Sequence, residues 1–257
     1  MSISEKDYIF KQFGLSGKRG IVTGASAGLG KAIALMLARA GAEVFALSRS
    51  GAFKSDTKEI PKTIYHKKID ITQNASVKNL ITDIGKNGLD FLVNNAGITE
   101  RQPAADFDMK KWHEIQDINI NAAFNMAQLV YPYLRKSKNQ GRIINISSMA
   151  AHLGFREVVP YGVSKAALSG LTRGLSVEWA KDNILVNSVS PGWFPSEMVH
   201  QVMDEERKNK ILQRMPLHRF GEFDELAAAV CFLLSPAASY ITGQDIAVDG
   251  GALAYGF

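Results

Sequence analysis

RGIVTGASAGLGKAIALMLARAGAEVFALSRS, residues 19–50, reads as strand, turn, helix, turn and strand. RGIVTG (19–24) is a short β-branched run. Leu29, Ala32, Ile33, Met36, Leu37 and Ala40 then recur at helical spacing, and Gly41 stops the helix. EVFALS (43–48) is a second strand. Between the first strand and the helix lies Thr23-Gly24-Ala25-Ser26-Ala27-Gly28-Leu29-Gly30. Glycines at 24, 28 and 30 let backbone turn sharply and approach a phosphate closely. The helix start behind them offers N–H groups and a positive dipole end to a pyrophosphate. The spacing is G-x-x-x-G-x-G. It is neither G-x-G-x-x-G nor a Walker A loop, for which Lys31 is misplaced. A tight structural turn would also use glycine, but the strand–turn–helix setting points to a dinucleotide.

The same alternation continues outward. TIYHKKID (63–70), DFLVNNAG (90–97), RIINISS (142–148), ILVNSVSPG (184–192) and QDIAVDGG (244–251) read as strands. Helical patterns cover 74–86, one long stretch from about 109 to 137, then 161–181, 197–214 and 224–235. Apolar runs such as FALS, FLV and IINI suit strands buried on both faces. The expected fold is α/β: a single-domain, doubly wound (Rossmann) parallel sheet of about seven strands with helices on both faces. The whole of 1–257 reads as one domain with a short N-terminal extension, 1–14. A substrate lid is expected near 193–215, where Trp193, Phe194, Met198, Val199 and Met203 give an apolar side.

Composition narrows the classes. Over 257 residues, 30 Lys and Arg against 25 Asp and Glu give +5, and 46% of residues are hydrophobic. These values exclude a disordered or collagen-like chain. The single cysteine, Cys231, forms no internal disulfide and reads as a buried, inert thiol. No apolar run reaches the ~18 residues of a membrane span, and the N-terminus lacks a signal-peptide core. A cytoplasmic protein is expected, without a membrane or nucleic-acid partner. The basic cluster Arg207-Lys208-Asn209-Lys210 follows Asp204-Glu205-Glu206 and reads as a solvated helix face. No metal site is expected.

In doubly wound sheets ligands sit beyond the carboxyl ends of the strands. After the second strand comes Ser48-Arg49-Ser50, where an NAD site usually places Asp or Glu. A serine and an arginine suit the 2′-phosphate of NADP(H) instead, although a surface arginine is the plain alternative and NAD(H) stays open. After the fifth strand, Ser147-Ser148 precede Tyr161-Gly162-Val163-Ser164-Lys165. Tyr161 and Lys165 share one helix face. An ammonium there favours the phenolate and lowers the phenol pKa, which suits proton exchange with a carbonyl or carbinol.

TGASAGLG, Asp70, Asn94-Asn95-Ala96-Gly97, Asn119, Ser148, YGVSK and Pro191-Gly192 appear in this order from about residue 14 to 251. Together they closely resemble the short-chain dehydrogenase/reductase family. The resemblance implies an oxidoreductase moving hydride between a nicotinamide and a carbonyl or secondary alcohol. It implies Tyr161 as general acid/base, Lys165 as its tuning partner on the nicotinamide ribose, and Ser148 holding the substrate oxygen. Asn119 would bend the long helix and hold a relay water. Asp70, with Ile71, would meet the adenine. Asn95, Ala96 and Gly97 would support the cofactor, and Gly24, Ser26, Gly28, Leu29 and Gly30 its phosphates. Pro191, Gly192, Phe194 and Ser196 would meet the carboxamide end. The family usually has Thr where Ser196 stands. Ala27 occupies a place where some NADP-dependent members are basic, which leaves Arg49 as the main phosphate partner.

AGITERQPA (96–104) and SMAAHLGFREVVPY (148–161) are similar to the gluconate 5-dehydrogenase-like, sugar-acid branch of that family. Arg101, His152 and Arg156 are then candidate partners for a substrate carboxylate. The competing readings are a 3-oxoacyl-[acyl-carrier-protein] reductase and, further off, a non-catalytic dinucleotide sensor. The resemblance also implies a homotetramer with two-fold axes.

Overall fold

The computed structural model describes residues 5–54, 59–196 and 204–255. The strands, in chain order, are β1 (Arg19–Thr23), β2 (Glu43–Ser48), β3 (Ile64–Lys68), β4 (Phe91–Asn94), β5 (Gly141–Ile146), β6 (Ile184–Pro191) and β7 (Asp245–Val248). The helices are α1 (Glu5–Phe13), α2 (Gly28–Arg39), α3 (Asn74–Gly85), α4 (Met109–Gln116), α5 (Ala122–Leu134), α6 (Val159–Trp179), α7 (Glu205–Arg214) and α8 (Phe223–Leu234). The seven strands form one sheet in the order β3-β2-β1-β4-β5-β6-β7, and every pairing is parallel.

β2 and β4 flank β1, so successive connections leave β1 in opposite directions across the sheet. That is the switch point, and it opens a crevice beyond the carboxyl ends of β1 and β4. The apolar strand runs are buried on both faces, as a doubly covered sheet requires. On one face Ile33, Leu37, Leu226 and Val230 of α2 and α8 pack on Val22, Val44 and Val93. On the other, Ile81, Met126, Val130, Leu175 and Trp179 of α3, α5 and α6 pack on Ile21, Leu92 and Ile143. Fully burying one such Leu, Ile or Val side chain contributes about 1.5–3 kcal/mol.

Three local differences from the sequence reading have physical causes. The expected stretch 109–137, which the resemblance bends at Asn119, is two helices, α4 and α5, joined by a wide π turn at Asp117–Asn121 in which Ala122 N–H bonds to Asp117 O. The helix expected from 161 starts two residues earlier, with Pro160 in its first turn, where its missing N–H costs nothing. The N-terminal extension carries α1, whose Phe13 ring stacks on Phe232 of α8 at 6.3 Å. Of the lid expected at 193–215, α7 covers Glu205–Arg214, whereas Met198, Val199 and Met203 lie outside the described residues.

Candidate active site

A cavity of about 1070 Å³ opens along the crevice. Its lining begins with the turn after β1. Gly24 has φ +64°, a left-handed value that a side chain would strain. At Gly30 an added Cβ would overlap the Gly24 carbonyl oxygen and the Asn95 amide nitrogen. The helix start is therefore held directly against the turn. Ala27, the N-cap of α2, gives no side-chain cap, and the first turn of α2 holds no acidic residue. The leading N–H groups are left to a ligand, and an anion suits both them and the dipole. The residues present thus fit a pyrophosphate.

β4 braces this turn. Asn95 Nδ2 donates to Thr23 O (2.9 Å) and Gly24 O (3.2 Å). Thr23 Oγ1 accepts from Asn95 N (3.0 Å) and Ala96 N (3.1 Å). Thr23 was missed in the sequence, because its role depends on a strand about seventy residues away. Ser26, Gly28, Leu29, Ala96 and Gly97 also line the cavity.

At the far end lie Ser48, Arg49, Ser50, Asp70, Ile71 and Thr72. Ser48 Oγ accepts from Gly51 N at 3.1 Å, which shapes the turn after β2. Asp70 Oδ1 accepts from Thr72 N (3.0 Å) and Thr72 Oγ1 (2.8 Å). These bonds, and to a smaller degree the Arg49 charge, hold its carboxyl below the usual range. Lys54 belongs to this end as well. Its backbone N–H bonds to Ser26 O at 2.9 Å, so the segment after β2 folds back over the glycine turn and brings a second cation to the cavity. Arg49 drew attention by lying directly after the strand; Lys54, five residues on, carried no such signal.

The opposite end holds Ser148, Tyr161 and Lys165. Ser148 is the N-cap of a single 3-10 turn, Met149–Ala151, and its Oγ accepts from Ala150 N at 3.1 Å. Lys165 is 4% exposed. Its Nζ donates to Ile146 O at 2.7 Å and lies 5.6 Å from the Tyr161 ring centre. Burial pushes the ammonium down to about 8. Burial also pushes the Tyr161 phenol above its ordinary value, while a hydrogen bond with Ser148 pulls it down. That net direction is opposite to the lowering that the Tyr161–Lys165 spacing implied, because desolvation of the phenolate outweighs the other effects. At neutral pH the phenol is protonated and is a proton donor.

Asn119 lies just behind the cavity wall, 1% exposed, inside the π turn. Its Oδ1 accepts from Ile98 N (2.8 Å), and its Nδ2 donates to Ile98 O (3.0 Å) and Ser164 Oγ (2.9 Å). It ties the segment after β4 to the helix that carries Tyr161 and Lys165. An added Cβ at Gly97 would lie 3.3 Å from Asn119 Oδ1 and 3.5 Å from Lys165 Nζ, so these groups converge on one spot. Pro191, Gly192, Phe194 and Ser196 close that end.

Arg101, His152 and Arg156 do not line this cavity. Arg101 Nε pairs with Glu157 Oε2 at 2.5 Å, and Nη1 lies 3.9 Å from Asp204 Oδ2. His152 Nε2 pairs with Asp245 Oδ2 at 2.8 Å. Arg156 is exposed. Among the described residues no helix is long and apolar enough to cross a membrane, and no cluster of His, Cys, Asp and Glu could hold a metal ion.

Residues 24–252 match the family profile described as enoyl-(acyl carrier protein) reductase. The chain is 34% identical over 252 residues to 2-dehydro-3-deoxy-D-gluconate 5-dehydrogenase of Bacillus subtilis (strain 168), covering 96% of this chain and 98% of that one. It is 35% identical over 243 residues to the 3-oxoacyl-[acyl-carrier-protein] reductase of Thermotoga maritima, covering 92% and 98%. Among solved structures, a gluconate 5-dehydrogenase from Burkholderia cenocepacia J2315 in complex with NADP and tartrate superposes with a TM-score of 0.87 at 32% identity, covering 96% and 99%. The braced glycine turn, the Ser148–Tyr161–Lys165 cluster, the sheet order and these likenesses agree: the chain belongs to the short-chain dehydrogenase/reductase family.

Proposed function

We propose that the protein is an NADP(H)-dependent oxidoreductase acting on a carbonyl or secondary alcohol of a sugar acid. The observation that carries this reading is the convergence of Ser148, Tyr161 and Lys165 at one end of a cavity whose other end offers a helix N-terminus and two cations. Arg49 and Lys54 suit a 2′-phosphate, and residues 49–54, directly after β2, include no carboxylate to hold a 2′-hydroxyl instead. Bound NADP(H) supplies or accepts the hydride.

The side chains do the rest. In reduction Ser148 donates a hydrogen bond to the substrate oxygen as negative charge develops there. Tyr161 gives its phenolic proton to that oxygen as hydride reaches the carbon; in oxidation the phenolate takes the proton back. The upward direction of the Tyr161 pKa keeps the phenol protonated at neutral pH, the state from which reduction starts. Lys165 stands beside the ring to stabilise phenolate when it forms and to hold the cofactor ribose. Asn119 fixes the distance between the strand β4 side and α6. Asp70 and Ile71 hold the adenine end, and Pro191, Gly192, Phe194 and Ser196 the nicotinamide end.

The sugar-acid substrate rests on the likeness to dehydrogenases named for gluconates. Of the three cations expected at the mouth, Arg101 is engaged by Glu157 and His152 by Asp245, and none of the three lines the cavity, so the substrate carboxylate is assigned to none of them. The chain works as one domain, in the cytoplasm, as a homotetramer. The test is NADPH oxidation with 5-ketogluconate and with an acetoacetyl thioester. Turnover of the keto acid supports the reading. Turnover of the thioester alone transfers the assignment to a 3-oxoacyl-thioester reductase, and turnover of neither, with NADPH bound, to a dinucleotide sensor.

A further inference from the structure

The 3-10 turn that carries Ser148 spans only Met149–Ala151, and one such turn does not hold its own orientation. Its two ends are nevertheless tied to one carboxylate. His152, which closes the turn by its N–H bond to Met149 O (3.0 Å), places Nε2 at 2.8 Å from Asp245 Oδ2. Asp245 opens the edge strand β7, yet its side chain is only 15% exposed. A carboxylate held largely out of water needs donors. Ser190 Oγ of β6 donates to Asp245 at 2.9 Å, and Ser169 Oγ of α6 at 3.2 Å. Ser169 Oγ lies 3.3 Å from the hydroxyl of Ser147, the residue just before Ser148. With the Ser169 proton on Asp245, the single Ser147 proton is shared between Ser169 Oγ and Lys165 O, 3.2 Å away. Asp245 thus joins β6, the α6 turn that bears Lys165, and both flanks of Ser148, while neither it nor His152 lines the cavity.

We propose that His152 and Asp245 are positioning residues, a pair that fixes the Ser148 turn so that the Ser148 hydroxyl meets Tyr161 and the substrate oxygen together. The inference rests on the oxidoreductase reading above. The pair acts through Ser148, so its effect must vanish when Ser148 has no hydroxyl to place. A merely structural contact would act equally in both backgrounds.

The experiment measures kcat, the NADPH dissociation constant and backbone hydrogen exchange of residues 148–153. The proteins are wild type, His152→Gln, Asp245→Asn, Ser148→Ala and the double variants with Ser148→Ala. His152 lies 40% exposed, so His152→Gln folds even if Asp245→Asn does not. Expected in the wild-type background are a kcat loss of about tenfold, unchanged NADPH affinity and faster exchange confined to 148–153. In the Ser148→Ala background the second substitution changes kcat by less than about twofold. Equal losses in both backgrounds, no loss at all, or unchanged exchange overturn the proposal. A wild type that reduces no carbonyl refutes the oxidoreductase reading instead, and the exchange result still decides whether the pair holds the turn.

Discussion

Gly30→Ala puts one methyl group where the structure has no room. The added Cβ overlaps the Gly24 carbonyl oxygen and the Asn95 Nδ2, and the Gly24 carbonyl carbon lies at 2.9 Å. Two of those three atoms are backbone, and the third is a side-chain amide held by two hydrogen bonds. Overpacking of this kind costs about 1–3 kcal/mol. Relief must come from the turn itself, by moving Gly24 or by breaking the Asn95 bonds to Thr23 O and Gly24 O. Either movement withdraws the N–H groups that face the pyrophosphate. If about 1.4–2.8 kcal/mol of the cost appears in binding, the NADPH dissociation constant rises about 10- to 100-fold. The remainder appears as a lower melting temperature, at about 2–4 °C per kcal/mol for a chain of this size. The Ser148–Tyr161–Lys165 cluster is untouched, so kcat at saturating NADPH stays within about threefold. Fluorescence titration with NADPH and a thermal melt read both effects. A Gly30→Ala protein that binds NADPH within twofold of wild type refutes the assignment of this turn to the pyrophosphate.

Arg49→Ala removes a charge-assisted contact of about 1.5–3 kcal/mol, so the NADPH Michaelis constant should rise at least about tenfold while that of NADH stays unchanged; steady-state kinetics with both cofactors decide this. Lys165→Met removes an ammonium whose pKa burial lowers from 10.5 to about 8, a cost of roughly 3 kcal/mol to the folded state. Part of that gain is lost with the bond to Ile146 O, so a net stabilisation of about 1–2 kcal/mol is expected at pH 7, with turnover abolished. Because the folded pKa is the lower one, the cost is full below pH ~8 and gone above ~10.5, so the melting difference between variant and wild type shrinks across that window. Arg101→Ala breaks a partly exposed pair worth about 1 kcal/mol or less, and the melting temperature should fall by no more than a few degrees.

The seven strands and the order of the motifs were legible because strand burial is written as short apolar runs and the glycine turn as local spacing. What escaped depends on partners distant in sequence. The bend at Asn119 came from the family resemblance and not from local pattern, because the apolar pattern continues through Ile118, Ile120 and Ala122 without a Pro or Gly to mark the π turn Asp117–Asn121. Helix α1 leaves Tyr8, Ile9, Phe10 and Phe13 about half exposed, so it shows no single buried stripe. Arg101 meets Glu157 and His152 meets Asp245, pairings 56 and 93 residues apart that local spacing cannot reveal. The upward shift of the Tyr161 phenol follows from burial, which only the folded chain defines.

Tyr161→Phe tests the central claim most directly, because it removes one oxygen atom and leaves the ring in place. NADPH oxidation with the keto-acid substrate is followed beside NADPH binding by fluorescence, in wild type and variant. The expected result is equal NADPH affinity and turnover reduced to about 1% or less, since general acid–base catalysis is worth roughly 10²–10⁴-fold. A Tyr161→Phe protein that oxidises NADPH at close to the wild-type rate would place the proton donor elsewhere and contradict the account.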